Sequence, residues 1–265
     1  MPSGAGPSHP EVRLRPTRVR FSFVGAPPSA GRLRRLALPA SALLLLSACR
    51  FGAPAGATVQ GKSIANLYHL MFYIAIGVGG LVYVLIAWCV IRYRRKSEEL
   101  PPQTRYHLPL EVTYTVIPIL IVLGIFAATY HTELPIDRVS ADPAVTIDVT
   151  AFQWQWRFSY PQYGIQVVGT PQRFPTMVVP VGQTVQINLR AQDVIHAFFV
   201  PDFLFKRDAI PGKLNRFDFE VDQAGTYYGE CAEFCGLDHA DMVFYVKAVS
   251  PAQFRAWAQS GGSGR

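Results

Sequence analysis

No Cys-x-x-Cys-His run occurs anywhere in the 265 residues, which excludes a c-type haem carried by this chain. A phosphate-cradling glycine loop, an aromatic-interleaved basic patch and an internal repeat are absent too, so nucleotide chemistry, nucleic-acid binding and solenoid folds lose their usual sequence support. Charge is sparse, at 16% of residues, and residues 1–131 hold only 4 Asp and Glu against 14 Lys and Arg. Residues 132–265 reverse the balance, with 14 acids against 11 bases. The net charge of +7 therefore flanks hydrophobic segments and does not belong to the acidic second half. That distribution points to a membrane as the partner, and away from nucleic acid.

Apolar residues make up half the chain and concentrate in three N-terminal runs. The first, Leu36 to Ala48, follows Arg32, Arg34 and Arg35 and ends Leu46-Ser47-Ala48-Cys49. A basic region, a short apolar core and small residues make a secretory signal. Its ending resembles a bacterial lipobox, in which Cys49 becomes the lipidated N-terminus, although the Arg/Pro/Gly-rich lead-in of residues 1–31 is atypical. The second run, Leu70 to Ile91, and the third, Val112 to Tyr130, have 22 and 19 residues without a charge, the length of membrane spans. Arg92, Arg94, Arg95, Lys96 and Arg105 lie between them, which places that loop in the cytoplasm and both outer ends of the hairpin outside. The expected organisation is a lead-in and signal over 1–48, a helical hairpin over 62–131, an exported domain over 140–258 and a flexible tail over 259–265. The expected location is a bacterial cell membrane, crossed more than once, with the domain on the periplasmic or outer face. Cys89, inside a span, reads as a small packing residue.

Beyond Ala141 the pattern changes to period two. Residues 145–149, 184–189, 216–221 and 243–249 alternate apolar with polar, and Pro180, Gly182, Pro201, Pro211-Gly212 and Gly225 punctuate them. Antiparallel strands in a β-sandwich are expected, followed by a helix that starts with Ser250 as cap and Pro251 in its first turn.

On this scaffold the run Cys231-Ala-Glu-Phe-Cys235-Gly-Leu-Asp-His239-Ala-Asp-Met242 places two thiols, an imidazole and a thioether within twelve residues. Zinc sites use thiolate, imidazole and carboxylate, whereas Cys and His with a weak Met form the ligand set of copper electron-transfer centres. A disulfide and a zinc site are the plainer readings of an exported Cys pair, and neither accounts for the His, the Met and the flanking residues together. His196, in Asp193-Val-Ile-His-Ala-Phe-Phe-Val200, is the best further ligand, because an imidazole among strand residues is costly without partners.

The form C-x-E-x-C-G-x-x-H-x-x-M, preceded by Asp193-Val-Ile-His196 and Phe205-Lys-Arg-Asp-Ala-Ile-Pro-Gly212, resembles subunit II of haem-copper cytochrome c oxidases. The resemblance runs over residues 62–258. It implies a membrane-anchored all-β protein: a two-helix transmembrane hairpin, then a cupredoxin-like Greek-key β-sandwich. It also implies a dinuclear copper centre of two copper ions. Cys231 and Cys235 would bridge both ions, His196 and His239 would bind one each, and Met242 and the Glu233 carbonyl would complete the set. Electrons would come from cytochrome c and pass to a haem in subunit I, where oxygen is reduced and protons are translocated. The Glu233 carboxylate would reach a magnesium or manganese ion at the boundary with subunit I. Partners so implied are subunit I, other oxidase subunits, cytochrome c and membrane lipid.

Ala151-Phe-Gln-Trp154-Gln-Trp156 matches the family's Trp-x-Trp, with both indoles expected on one strand face. The resemblance makes Trp154 the electron entry and Trp156 a packing residue near the metal. Ala151-Phe152 stand where the family often has Gly-His, and residues 161–172 contain no acid where many relatives have several, so docking here is expected to be less electrostatic. Glu111, in Glu-x-x-Tyr-Thr-x-x-Pro118, matches a family pattern with Tyr114 at its Trp position, which makes Glu111 a candidate proton-pathway entrance. Quinol oxidase subunits lack the copper ligands. Nitrous oxide reductases carry a fused catalytic domain, and some nitric oxide reductases share the centre. A membrane-tethered copper chaperone is the alternative from another class.

Overall fold

The computed structural model describes residues 55–96, 103–170 and 172–262. The signal segment, Cys49, residues 97–102 between the helices and the last three residues of the tail lie outside the described residues. Helix α1, Val59–Arg92, begins at Thr58, whose Oγ1 accepts from Gly61 N at 2.8 Å. Helix α2, Leu108–Ile136, begins at His107: Nδ1 accepts from Leu110 N, and the Glu111 carboxylate accepts from His107 N at 3.1 Å. Both caps satisfy amides that would otherwise lack partners at a helix start. The helices outrun the uncharged stretches 70–91 and 112–130. Polar residues such as Ser63, Asn66 and His131 join the helices at their outer ends, where they need not be in hydrocarbon. Both helices are long and apolar enough to cross a membrane. Apolar side chains along them, from Tyr73 and Leu81 to Val122 and Phe126, are exposed.

The rest is a sandwich of ten strands: β1 Val145–Phe152, β2 Gln155–Tyr160, β3 Ile165–Val168, β4 Thr176–Pro180, β5 Val185–Ala191, β6 His196–Val200, β7 Phe205–Ala209, β8 Asn215–Phe219, β9 Gly225–Cys231 and β10 Val243–Val249. One sheet has the order β3-β2-β1-β5-β8 and the other β4-β10-β9-β6-β7. Alternation in β1 and β5 puts Val145, Ile147, Val149, Val185, Ile187 and Leu189 inside, as period-two patterning requires. The sheets are mixed and not purely antiparallel: β1 pairs with β5 and β10 with β4 in parallel. Each of these pairs joins strands distant in sequence, so hairpin logic does not constrain their direction. Helix α3, Pro251–Gln259, has Ser250 as N-cap with Gln253 completing a capping box.

Between the sheets lies an aromatic core. Phe198 and Phe244 have ring centroids 4.7 Å apart, Trp156 and Phe244 5.0 Å, and Phe203 and Phe219 5.1 Å. Each such side chain contributes about 1.5–3 kcal/mol by leaving water, and the Trp156 ring, packed on Phe198 and Phe244, lies beneath Met242.

Two attachments tie the hairpin to this domain. Ahead of α1, Ala57 N donates to Asp202 O at 2.7 Å, Val59 N donates to Glu220 O at 3.0 Å, and Lys62 pairs with Asp222 at 2.8 Å. This segment covers the open side of β8, and Gly61 is required there because a Cβ would come within 2.8 Å of Phe203 O. After α2, Asp137 pairs with Arg207 of β7, and Ser140 N donates to buried Asp218 at 2.5 Å.

Candidate metal centre

β9 ends at Cys231, and β10 resumes at Val243, so residues 232–242 form a loop held by two paired strands. The closing hydrogen bond, Cys231 N to Met242 O at 3.1 Å, fastens both ends of the loop. Ala232 N donates to Ala197 O at 3.2 Å, which joins the loop to β6 beside His196. Gly236 has φ +118°, and a Cβ there would meet the Trp154 ring at 3.3 Å, so both backbone and space demand glycine.

Six candidate donor atoms converge. Cys231 Sγ lies 3.8 Å from His196 Nδ1, 3.3 Å from Glu233 O and 3.9 Å from Cys235 Sγ. Cys235 Sγ lies in turn 3.5 Å from His239 Nδ1 and 3.8 Å from Met242 Sδ. The two sulfurs are too far apart for a disulfide, whose S–S bond is about 2.05 Å. They are close enough to share an ion, since metal–sulfur bonds of about 2.3 Å allow sulfurs up to about 4.6 Å apart. His196, Cys231 and Cys235 are all buried, with donor atoms within 4.8 Å of one another. Thiolate, imidazole, thioether and carbonyl together match the soft donor set of copper better than that of zinc.

The imidazole of His196 is oriented from behind. Its Nε2 lies 2.8 Å from Asp193 Oδ1, which leaves Nδ1 facing Cys231. Asp193 also accepts from Gln153 N and Val194 N, both at 2.7 Å. Burial works against its charge, but the hydrogen bonds from His196 and the two amides win and hold the carboxyl below its ordinary value. Burial likewise opposes an imidazolium at His196, and the contacts with Cys231 and Asp193 overcome it and raise the pKa. Burial would also raise the Cys231 thiol, yet hydrogen bonds from His196 and the neighbouring backbone bring it down to about 7. Burial and then the Cys231 charge push Cys235 up to about 12. One proton leaves the pair readily and the second resists, so a cation is what would make both thiolates stable.

The aromatic segment departs from expectation. Trp154 and Trp156 do not share a strand face: Trp154 sits in the turn between β1 and β2, and Trp156 is fully buried in β2. Trp154 Nε1 donates to Cys235 O at 3.2 Å, and Gln153 Nε2 donates to the same oxygen at 2.8 Å. Trp156 Nε1 donates to Met242 O at 3.3 Å beneath the loop. A Trp-x-Trp run alternates correctly only within one strand, and the β1–β2 turn interrupts it here.

Glu233 contributes its carbonyl to the cluster, while its carboxylate pairs with Lys206 of β7. Glu111 lies at the far end of the chain's hairpin, in the α2 cap. Sequence reasoning missed Gln153 and Lys206 as supports of the loop. It also left Asp193 without a role, although its place three residues before His196 was a usable signal.

Residues 172–249 match the family model described as cytochrome c oxidase subunit II, periplasmic domain, and residues 47–131 match the transmembrane domain of the same subunit. A probable cytochrome c oxidase subunit 2 from Nocardia farcinica is 34% identical, over 91% of this chain and 86% of the relative. The cytochrome c oxidase subunit 2 of Mycobacterium tuberculosis H37Rv is 31% identical, over 87% and 80%. Among solved structures, the periplasmic domain of subunit II of cytochrome oxidase (CoxB) of Bradyrhizobium japonicum is 34% identical, covering 46% of this chain and 96% of that one with a TM-score of 0.42.

Proposed function

Because this chain belongs to the cytochrome c oxidase subunit II family, we propose that it is the electron-entry subunit of its haem-copper oxidase, taking single electrons from cytochrome c. The observation that carries this reading is the convergence of six donor atoms, from Cys231, Glu233, Cys235, His239 and Met242 in and beside the loop and from His196 on β6. Two coppers sharing the thiolates would spread one electron over both ions, with little change in bond lengths on reduction.

The chain's own residues supply position. Cys231 and Cys235 would hold the copper through their thiolates, His196 and His239 through their imidazoles, Met242 through its thioether and Glu233 through its backbone carbonyl. Asp193 sets the His196 ring. Trp154, partly exposed and with its Nε1 donating to the carbonyl of Cys235, gives a hydrogen-bonded route from its ring to a ligand residue, and so is the candidate entry point. Electrons leave to haem in subunit I, where oxygen chemistry and proton translocation occur. Glu111 is the candidate entrance for protons on the cytoplasmic side, and Glu233 the carboxylate that would exchange Lys206 for magnesium or manganese at the subunit I boundary. The basic loop residues Arg92 to Lys96 put the copper domain on the outer face. Signal cleavage before Cys49 and its lipidation complete the anchoring, which intact-mass measurement of the membrane-extracted chain tests.

The function is tested by copper stoichiometry and EPR on the detergent-solubilised full chain after copper loading. Two coppers per chain sharing one unpaired electron across both nuclei support it. One copper with an ordinary mononuclear signal, or copper lost to a mild chelator, would overturn it in favour of a copper chaperone.

A further inference from the structure

One cavity lies away from the thiolate loop. It has a volume of about 690 Å³ and opens between β3, β4, β10 and α3. That volume falls in the range of about 300–1,000 Å³ typical of small-molecule sites. Its lining holds two cations, Arg173 and Lys247, and no carboxylate, although residues 132–265 as a whole carry more acids than bases. Among the described residues neither cation is in an ion pair.

The walls are fixed. Thr170 and Arg173 exchange both backbone hydrogen bonds at 3.0 Å, which holds Arg173 in a tight turn. The Tyr160 hydroxyl donates to Val178 O at 3.0 Å and accepts from Val178 N at 2.8 Å, and so pins the floor strand. Trp257 packs edge-on against Tyr160 at 5.0 Å and beside Phe254 at 5.6 Å, so its ring is held at the rim. Half-exposed Phe174 stands among the lining residues, and Gln166 and Gln253 supply amides. One guanidinium, one ammonium, amides and flat apolar surface, with space for more than one inorganic ion, define a ligand class.

We propose that this cavity binds a planar organic anion, its negative group held by Arg173 and Lys247 and its apolar body lying against Trp257 and Phe174. Arg173 presents a fork suited to carboxylate or phosphate, and Lys247 adds a point charge. The site is independent of the thiolate loop, so it stands or falls separately from the electron-transfer reading.

The test is calorimetric titration of the full chain in detergent, with blank micelles subtracted, using 2-naphthoate and 2-naphthyl phosphate as probes and 2-naphthamide as the uncharged control. Saturable binding of either anion, with Trp257 fluorescence changing in step, is expected, and the tighter of the two identifies carboxylate or phosphate as the preferred group. Arg173→Gln and Lys247→Gln should each weaken that binding by about tenfold or more, as loss of a charge-assisted bond does. Gln166→Glu, which leaves both cations in place, should weaken it by adding repulsion. Equal binding of the amide, affinities unchanged in all three variants, or no saturable binding of either anion would overturn the proposal.

Discussion

At the level of single residues, the decisive contact is the one behind His196. Asp193 fixes which imidazole nitrogen faces the thiolates, and supports of this kind are worth about 10–100-fold in metal affinity. Asp193→Asn should weaken copper retention by that range and alter the EPR hyperfine pattern while the fold persists, which chelator competition and circular dichroism together would check. The thiols also set the pH dependence. Below about 12 a proton on Cys235 must leave when a metal binds, and His196, its pKa raised by Cys231 and Asp193, adds another where it is charged, so apparent copper affinity should rise by at least about tenfold per pH unit. Below about 7 Cys231 is protonated as well, and the slope should steepen. A competition titration from pH 6 to 9 measures both slopes, and a flat profile would contradict the assignment of these thiols as ligands. Five of the six candidate ligands were readable in sequence because they fall within the twelve residues from Cys231 to Met242, which one loop must bring together. Gln153 and Lys206 were not, since nothing local marks a side chain that reaches 82 or 27 residues along the chain.

At the level of elements, strands with strict alternation and the capped final helix were legible, while pairing direction was not. β1 and β5 could be placed by their buried Val, Ile and Leu, but their parallel register depends on the whole sandwich. The Trp154–Trp156 run shows the same limit, because a turn two residues long reads like continuing strand when both flanks are aromatic. The α3 cap offers a clean local test. Ser250 Oγ accepts from Gln253 N at 3.3 Å, and Gln253 Oε1 accepts from Ser250 N at 3.1 Å. Ser250→Ala should cost about 0.5–2 kcal/mol, read as a lower thermal midpoint, without changing the copper spectrum. Gly236→Ala should do the opposite. Its Cβ would press on Trp154 and its φ would be strained, so the loop spectrum should change more than the midpoint does.

For the whole molecule, charge and attachment together decide orientation. The β-sandwich is joined to the hairpin through Lys62 with Asp222 and Asp137 with Arg207, at the ends of both helices away from the basic loop. The domain must therefore be on the membrane side that those ends occupy. Arg92, Arg94, Arg95, Lys96 and Arg105 cluster at the opposite ends, and basic loops of this length remain in the cytoplasm. Together they predict one arrangement, with the basic loop inside and the thiolate loop, Trp154 and the cavity at Arg173 all outside. It can be tested in intact cells with a membrane-impermeant thiol reagent. A cysteine at Gln166 (Q166C), on the exposed edge strand β3, should label without permeabilisation, and one at Arg105 (R105C) only after it. Labelling of R105C alone in intact cells would invert the topology and remove the domain from any cytochrome c on the outer face, and labelling of both would contradict a hairpin that crosses the membrane.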